Sequence, residues 1–352
     1  MSRADPLDVL IVSLGSTTGL RTADEGLAES LRRAGASVEI ARAKPPREVR
    51  TLMLTDLQWA RAARAATDGF LTDPDSSSPR AIIYSSTTAA LLWRRPGAIR
   101  FDAPAAGNRP GRHGLWQRPI ESSRLRQAPL LLPLSRGALG ELPTSVQVDD
   151  RRVLVLGLPV EPSGPTGGER DIAAITYAAN PLKKGLDRVL DAWRRVTAGA
   201  DSVEQLELVV AGASAEELRR AGISFEGERG VRLVGSLPAV EYRALLRRSR
   251  CFVCAPRRED HGAAQLEALA DGCLLVTTPA PGPYAALGIA GELDPRLVDD
   301  DLSRALSSAL LDPPPVEGYR ARASAALADL SPQAIDRRIA AELLPRLLSP
   351  PA

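Results

Sequence analysis

Apolar positions in this chain fall in short unbroken runs separated by longer stretches with helical spacing, and the alternation recurs from one end to the other. Runs at 7–14, 38–41, 81–85, 98–101, 130–134 and 153–156 are bounded by glycine, proline or polar residues. Unbroken runs of that length predict strands buried on both faces. Between the first two, residues 22–34 are amphipathic and stop at Gly35, as a helix would. A second series follows, with strands expected at 172–178, 206–211 and 231–234 and helices at 185–196, 241–248, 300–311 and 332–347. In the first of these helices Leu186, Val189, Leu190 and Trp193 share one side. Strand, helix, strand in succession predicts the α/β class with parallel sheets.

The stretch 157–169, GLPVEPSGPTGGE, is the strongest linker signal. It divides the chain into domains at 1–156 and 170–331, and 352 residues exceed what one core normally serves. No internal sequence repeat relates the halves.

Composition narrows the function classes. An apolar fraction of 44% and a charged fraction of 25% are those of a soluble globular protein, and a net charge of +2 argues against a nucleic-acid binder driven by electrostatics. Cys251 and Cys254 have the spacing of a metal or redox pair, but in a strand residues three apart point to opposite faces, so they read as core thiols and no metal site is expected. With no apolar span near 18 residues, the expected location is cytoplasmic. A helix over 47–67 would gather Arg47, Arg50, Arg61 and Arg64 on one face. That face is either solvated or a peripheral contact with an anionic membrane on its cytoplasmic side.

The candidate chemistry centres on 253–278, VCAPRREDHGAAQLEALADGCLLVTT, read as strand, loop, helix, strand. Gly262, Ala263 and Ala264 leave the start of the helix open, and first-turn N–H groups without intrahelical acceptors can receive a phosphate. Glu259 before the helix and Glu267 one turn inside offer carboxylates to hydroxyls. Two acids eight apart should occur by chance about five times in a chain with this many acids, so the spacing alone says nothing. Their setting is rarer: Pro256, Glu259, Gly262, Glu267-Ala268, Ala270 and Gly272 in order between two buried strands.

That setting resembles the retaining nucleotide-sugar glycosyltransferases of the GT-B fold, in particular the family with a Glu-x7-Glu signature called family 4. The resemblance implies two Rossmann-like domains facing each other across a cleft, with the helix at 332–349 returning to the first. It implies a retaining, metal-independent transfer of a sugar from a nucleoside diphosphate donor to a hydroxyl acceptor, be it glycan, lipid-linked saccharide or small molecule, with no separate cofactor. Glu259 would face the donor sugar and Glu267 the ribose. Lys184, just before Gly185, resembles the family's lysine on the donor diphosphate, and backbone near Leu237 would meet the base. The family usually has an arginine shortly upstream of that lysine; here stand Ala179 and Asn180, with Arg257 or Arg258 as replacements. Asp260 and His261 also depart from the pattern, and Asp260 is expected to face solvent or cap the helix.

In the first domain Gly15 and Gly19 flank a strand-to-helix turn, and the resemblance places Gly15 beside the donor. The long segment 102–126 lacks periodicity and reads as a loop, with Asp102 and His113 as acceptor-side candidates. Two other assignments share this layout: another GT-B enzyme such as an epimerase or phosphorylase, and a degenerate relative that binds a nucleotide sugar or a partner without turnover.

Overall fold

The computed structural model describes residues 6–47, 49, 51–198, 206–225 and 227–349. The chain divides into two compact units, one running to Leu158 and rejoined from Pro332 onward, the other Pro159–Ser331.

Unit 1 alternates β1 (Val9–Ser13), α1 (Thr18–Arg33), β2 (Val38–Arg42), α2 (Leu52–Thr72), β3 (Ala81–Tyr84), α3 (Thr87–Ala90), β4 (Ala98–Phe101), α4 (Ala105–Asn108), α5 (Gln117–Gln127), β5 (Leu131–Pro133) and α6 (Arg136–Gly140). Its five strands are parallel in the order β2-β1-β3-β4-β5. The period of two along each strand sends alternate side chains to two separate cores. Leu10, Val12, Ile82, Tyr84, Ile99 and Phe101 join Ala63 of α2 and Leu125 of α5. Val9, Ile11, Ile83 and Ala98 join α1 and, from the end of the chain, Ile335, Ile339 and Leu343.

Unit 2 contains β6 (Ile172–Tyr177), α7 (Leu186–Ala198), β7 (Leu208–Ala211), α8 (Ala215–Arg220), β8 (Val231–Gly235), α9 (Ala239–Arg248), β9 (Ser249–Cys254), α10 (Ala263–Ala270), β10 (Leu274–Thr277), α11 (Ala285–Leu293), α12 (Leu302–Leu311) and α13 (Val316–Ala326). Its parallel sheet runs β10-β9-β6-β7-β8 around one continuous core. The order reverses direction between β6 and β9, and in open α/β sheets such a switch point opens a crevice at the carboxyl ends of the strands. The chain then returns to unit 1 as α14 (Pro332–Arg338), a π-helical turn (Ile339–Leu343) and α15 (Leu344–Leu348).

Three local expectations need correction. Helix α2 starts at Leu52 because the Thr51 hydroxyl accepts the Leu54 N–H as an N-cap, so Arg47 precedes the helix, while Arg50 lies outside the described residues. Of the three described arginines Arg61 and Arg64 lie on α2, where Arg64 faces Asp68 at 3.6 Å, and Arg47 does not share their helix. Residues 117–126 of the expected loop belong to helix α5, hidden from the hydrophobic pattern because Gln117, Glu121 and Ser122 are buried beside Leu125. The run 153–156 adds only a single bridge, Val153 to Leu131. Residues 157–169 have neither helix nor strand, yet Val160 N–H donates to Leu330 O at 2.8 Å and Ser163 N–H to Asp271 Oδ1 at 2.7 Å.

Candidate functional site

The candidate residues of unit 2 lie where its strands end. Lys184 follows β6 and Glu259 follows β9, the two strands that flank the switch point. Gly185 sets how closely their loops approach: its φ is +69°, and a Cβ there would lie 1.8 Å from the Ala255 carbonyl oxygen. Only glycine tolerates both. Arg257 N–H then donates to Lys183 O at 2.9 Å, joining the loops by backbone.

Above that junction two lysine–acid pairs form side by side. Lys184 Nζ donates to Glu259 Oε2 at 2.6 Å, with Glu259 only 5% exposed. Lys183 Nζ donates to Asp260 Oδ2 at 3.1 Å, and Arg258 Nε donates to Asp260 Oδ1 at 2.8 Å. Asp260 therefore neither faces solvent nor caps α10: two cations hold it, and this is what makes a carboxylate tolerable there. Arg257 is committed elsewhere, with two bonds to Asp187 at 2.9 and 2.7 Å and a third to Leu182 O at 2.6 Å. Its guanidinium holds the Asp187 carboxyl below the usual range.

Helix α10 begins at Gly262, whose φ of +83° lets the chain turn into the helix with no capping side chain. A Cβ on Gly262 would meet the Tyr284 ring at 2.9 Å. The first intrahelical bond is Leu266 N–H to Gly262 O, which leaves the N–H groups of Ala263 and Ala264 at the open turn. Ala263 is exposed and Ala264 half-buried.

Glu267, one turn further on, is half-buried. Burial pushes its carboxyl up, Arg243 opposes that shift and Asp271 adds to it. The same carboxylate raises the hydroxyls of Tyr177 and Tyr242, after their burial, and the two rings stand 5.2 Å apart. The Tyr242 hydroxyl is buried with no hydrogen-bond partner among the described residues. Leu237 follows β8, two strands from β6, and packs half-buried against the core.

Gln265 was not legible as a site residue. It is 1% exposed in the first turn of α10, and its Nε2 donates to Glu259 Oε2 at 3.2 Å and to Cys254 Sγ at 3.7 Å. Cys254 in turn bonds the Thr277 hydroxyl at 3.3 Å and lies 3.5 Å from the Tyr284 hydroxyl. The available signal was a polar amide between small and apolar neighbours in a buried helix.

The three candidates of unit 1 lie on separate segments. Gly15 lies just beyond β1 at φ +56°, with its carbonyl accepting from Arg21 Nη1 at 3.0 Å. Asp102 follows β4 and accepts the Ala103 N–H at 2.8 Å. His113 is exposed on a 3-10 turn, Gly111–Gly114. The buried acids here, Asp24, Asp56 and Glu121, were not singled out by the sequence. Asp24, raised by burial, accepts from Ser13 Oγ at 2.5 Å and faces Arg100 at 3.4 Å. Glu121 accepts the Ala105 N–H on both oxygens at 3.0 and 2.8 Å, and burial pushes its carboxyl up to about 7.

Among the described residues no group of three or more His, Cys, Asp or Glu could hold a metal ion, and no helix is long and apolar enough to cross a membrane.

Residues 167–326 are matched by the family Glycosyl transferases group 1. Searched by sequence, curated proteins return no match. Three solved structures are similar in fold. WaaG, a glycosyltransferase involved in lipopolysaccharide biosynthesis, has a TM-score of 0.69 at 14% identity over 98% of this chain and 100% of its own. Anabaena HepE, solved with UDP and glucose, has a TM-score of 0.66 at 12% identity over 96% and 99%. Sucrose-phosphate synthase from Thermosynechococcus elongatus has a TM-score of 0.62 at 14% identity over 95% and 97%. The fold is GT-B, and the family match supports glycosyl transfer as the chemistry.

Proposed function

From a chain of GT-B fold whose residues 167–326 fall within the group 1 glycosyl transferases, we propose a retaining transfer of a sugar from a nucleoside diphosphate donor to a hydroxyl acceptor, with the donor held by unit 2. The observation that carries the reading is the Lys184 to Glu259 contact of 2.6 Å at the switch point, beside the open first turn of α10. On donor binding Lys184 exchanges a carboxylate for a diphosphate oxygen. As the bond from anomeric carbon to diphosphate oxygen breaks, the electron pair leaves with the diphosphate, and Lys184 and the α10 N–H groups meet the charge that develops. Glu259 holds a hydroxyl of the sugar and Glu267 the ribose. The acceptor's hydroxyl oxygen bonds the anomeric carbon, and its proton passes to an oxygen of the departing diphosphate. Gly15, Asp102 and His113 are assigned to unit 1's side of the reaction, and Leu237 to the base.

This charge balance requires no metal and no further cofactor, so transfer should persist in EDTA. The deciding experiment combines a thermal-shift panel of nucleoside diphosphate sugars with a transfer assay on wild type and Glu259→Ala. A stabilising donor that the wild type transfers and Glu259→Ala does not would support the reading, and the anomer of the first product formed reports retention. No shift with any nucleotide would sink it.

One observation favours a second reading, a donor-binding chain without turnover: Arg257, a candidate to replace the arginine absent around Ala179 and Asn180, is bonded to Asp187. Donor binding with no transfer or hydrolysis would select it.

A further inference from the structure

We infer that Gln265 is the positioning residue that keeps Glu259 aimed once the donor has drawn Lys184 away. The inference rests on the reading that Glu259 faces the donor. Glu259 Oε2 receives two donors, Lys184 Nζ at 2.6 Å and Gln265 Nε2 at 3.2 Å. The first sits on a lysine whose side chain is 23% exposed and which the diphosphate must recruit; the second sits on a side chain 1% exposed in α10. A carboxylate 5% exposed cannot lose the one charged partner it has among the described residues without another donor in place, because an unpaired buried charge is strongly disfavoured.

The orientation of the amide follows from its neighbours. With oxygen and nitrogen exchanged, Gln265 would set a carbonyl against a carboxylate, so the nitrogen faces Glu259. Its Oε1 is then buried without a hydrogen-bond partner among the described residues. Leaving that acceptor unmatched is destabilising, which marks the side chain as held for its donor rather than for packing. Behind it Cys254, Thr277 and Tyr284 form a hydrogen-bonded row that fixes the amide from the core side.

The test uses full-length protein and the donor found in the thermal-shift panel, inorganic diphosphate serving as a control for occupancy of the phosphate site alone. Gln265→Leu keeps the bulk and removes the donor. Its kcat should fall on the order of 10- to 100-fold while donor affinity stays within about threefold. Gln265→Glu sets two carboxyls together that cannot both ionise, so its kcat should recover as pH falls and one proton is shared, a response wild type and Gln265→Leu lack. The other titratable groups against this pair are Lys184, Cys254 and Tyr284, present in every variant. Retained kcat in Gln265→Leu, or a Gln265→Glu profile parallel to wild type, overturns the inference. If Gln265→Leu does not fold, Gln265→Met is read by the same split. An active wild type with a silent Gln265→Leu removes this inference alone; a wild type with no transfer to any acceptor removes the proposed function and this inference together.

Discussion

Lys184 Nζ and Glu259 Oε2 meet at 2.6 Å although 75 positions separate them in the chain. Removing one partner leaves the other in a mostly buried setting, so Lys184→Met and Glu259→Gln should each destabilise unit 2, and the double variant by less than their sum. A double-mutant cycle from urea unfolding should give a coupling of about 0.5–3 kcal/mol. A coupling of zero would mean the contact contributes nothing to the folded state. In the transfer assay Lys184→Met should lose on the order of 100- to 1,000-fold in kcat, the scale of one lost donor to a developing anion.

Gly185 fixes the approach of the two loops. Gly185→Ala adds a Cβ 1.8 Å from Ala255 O at a φ of +69°, which backbone movement must relieve. The expected loss is about 3 kcal/mol or more. Denaturation midpoints within error of wild type would contradict the close approach.

Glu121 predicts a pH dependence of stability. Its carboxyl is pushed up to about 7 from the ordinary 4.5, chiefly by burial, with Arg109 opposing and Asp56 adding to the shift. The folded state therefore holds the proton more tightly than the unfolded chain does. The stability this provides is complete below pH 4.5 and is lost as pH rises through about 7. Glu121→Gln keeps an acceptor for the Ala105 N–H and cannot ionise, so its stability between pH 5 and pH 8 should fall by about 2–3 kcal/mol less than that of wild type. Equal slopes in unfolding titrations would show that the carboxyl does not titrate there.

Asp271 joins three segments of unit 2. Fully buried, it accepts from Arg243 Nε at 2.5 Å, from the Ser163 N–H at 2.7 Å and from Ser163 Oγ at 3.0 Å. Asp271→Ala should cost about 1–3 kcal/mol, because it leaves the half-buried Arg243 and the Ser163 N–H without their acceptor. Limited proteolysis should then cut first within 157–169. An unchanged cleavage pattern would mean that Ser163 is held by other contacts.

How much was legible in the chain follows from the range of each interaction. The α/β class, the order of strands and helices, and the small residues opening α10 were readable because they depend on periods of two and 3.6 residues and on local turn chemistry. The helix α5 was not, since its inward face carries Gln117, Glu121 and Ser122, whose burial becomes tolerable only through partners elsewhere in the fold. Lys184 and Glu259 could be nominated one by one from their motifs. Their meeting and the capture of Asp260 by Lys183 depend on β6 and β9 being neighbours, while the hold of Gln265 on Glu259 is set within the loop and first turn that follow β9. Strand adjacency is decided by how the whole sheet buries its faces, and no window of sequence contains it.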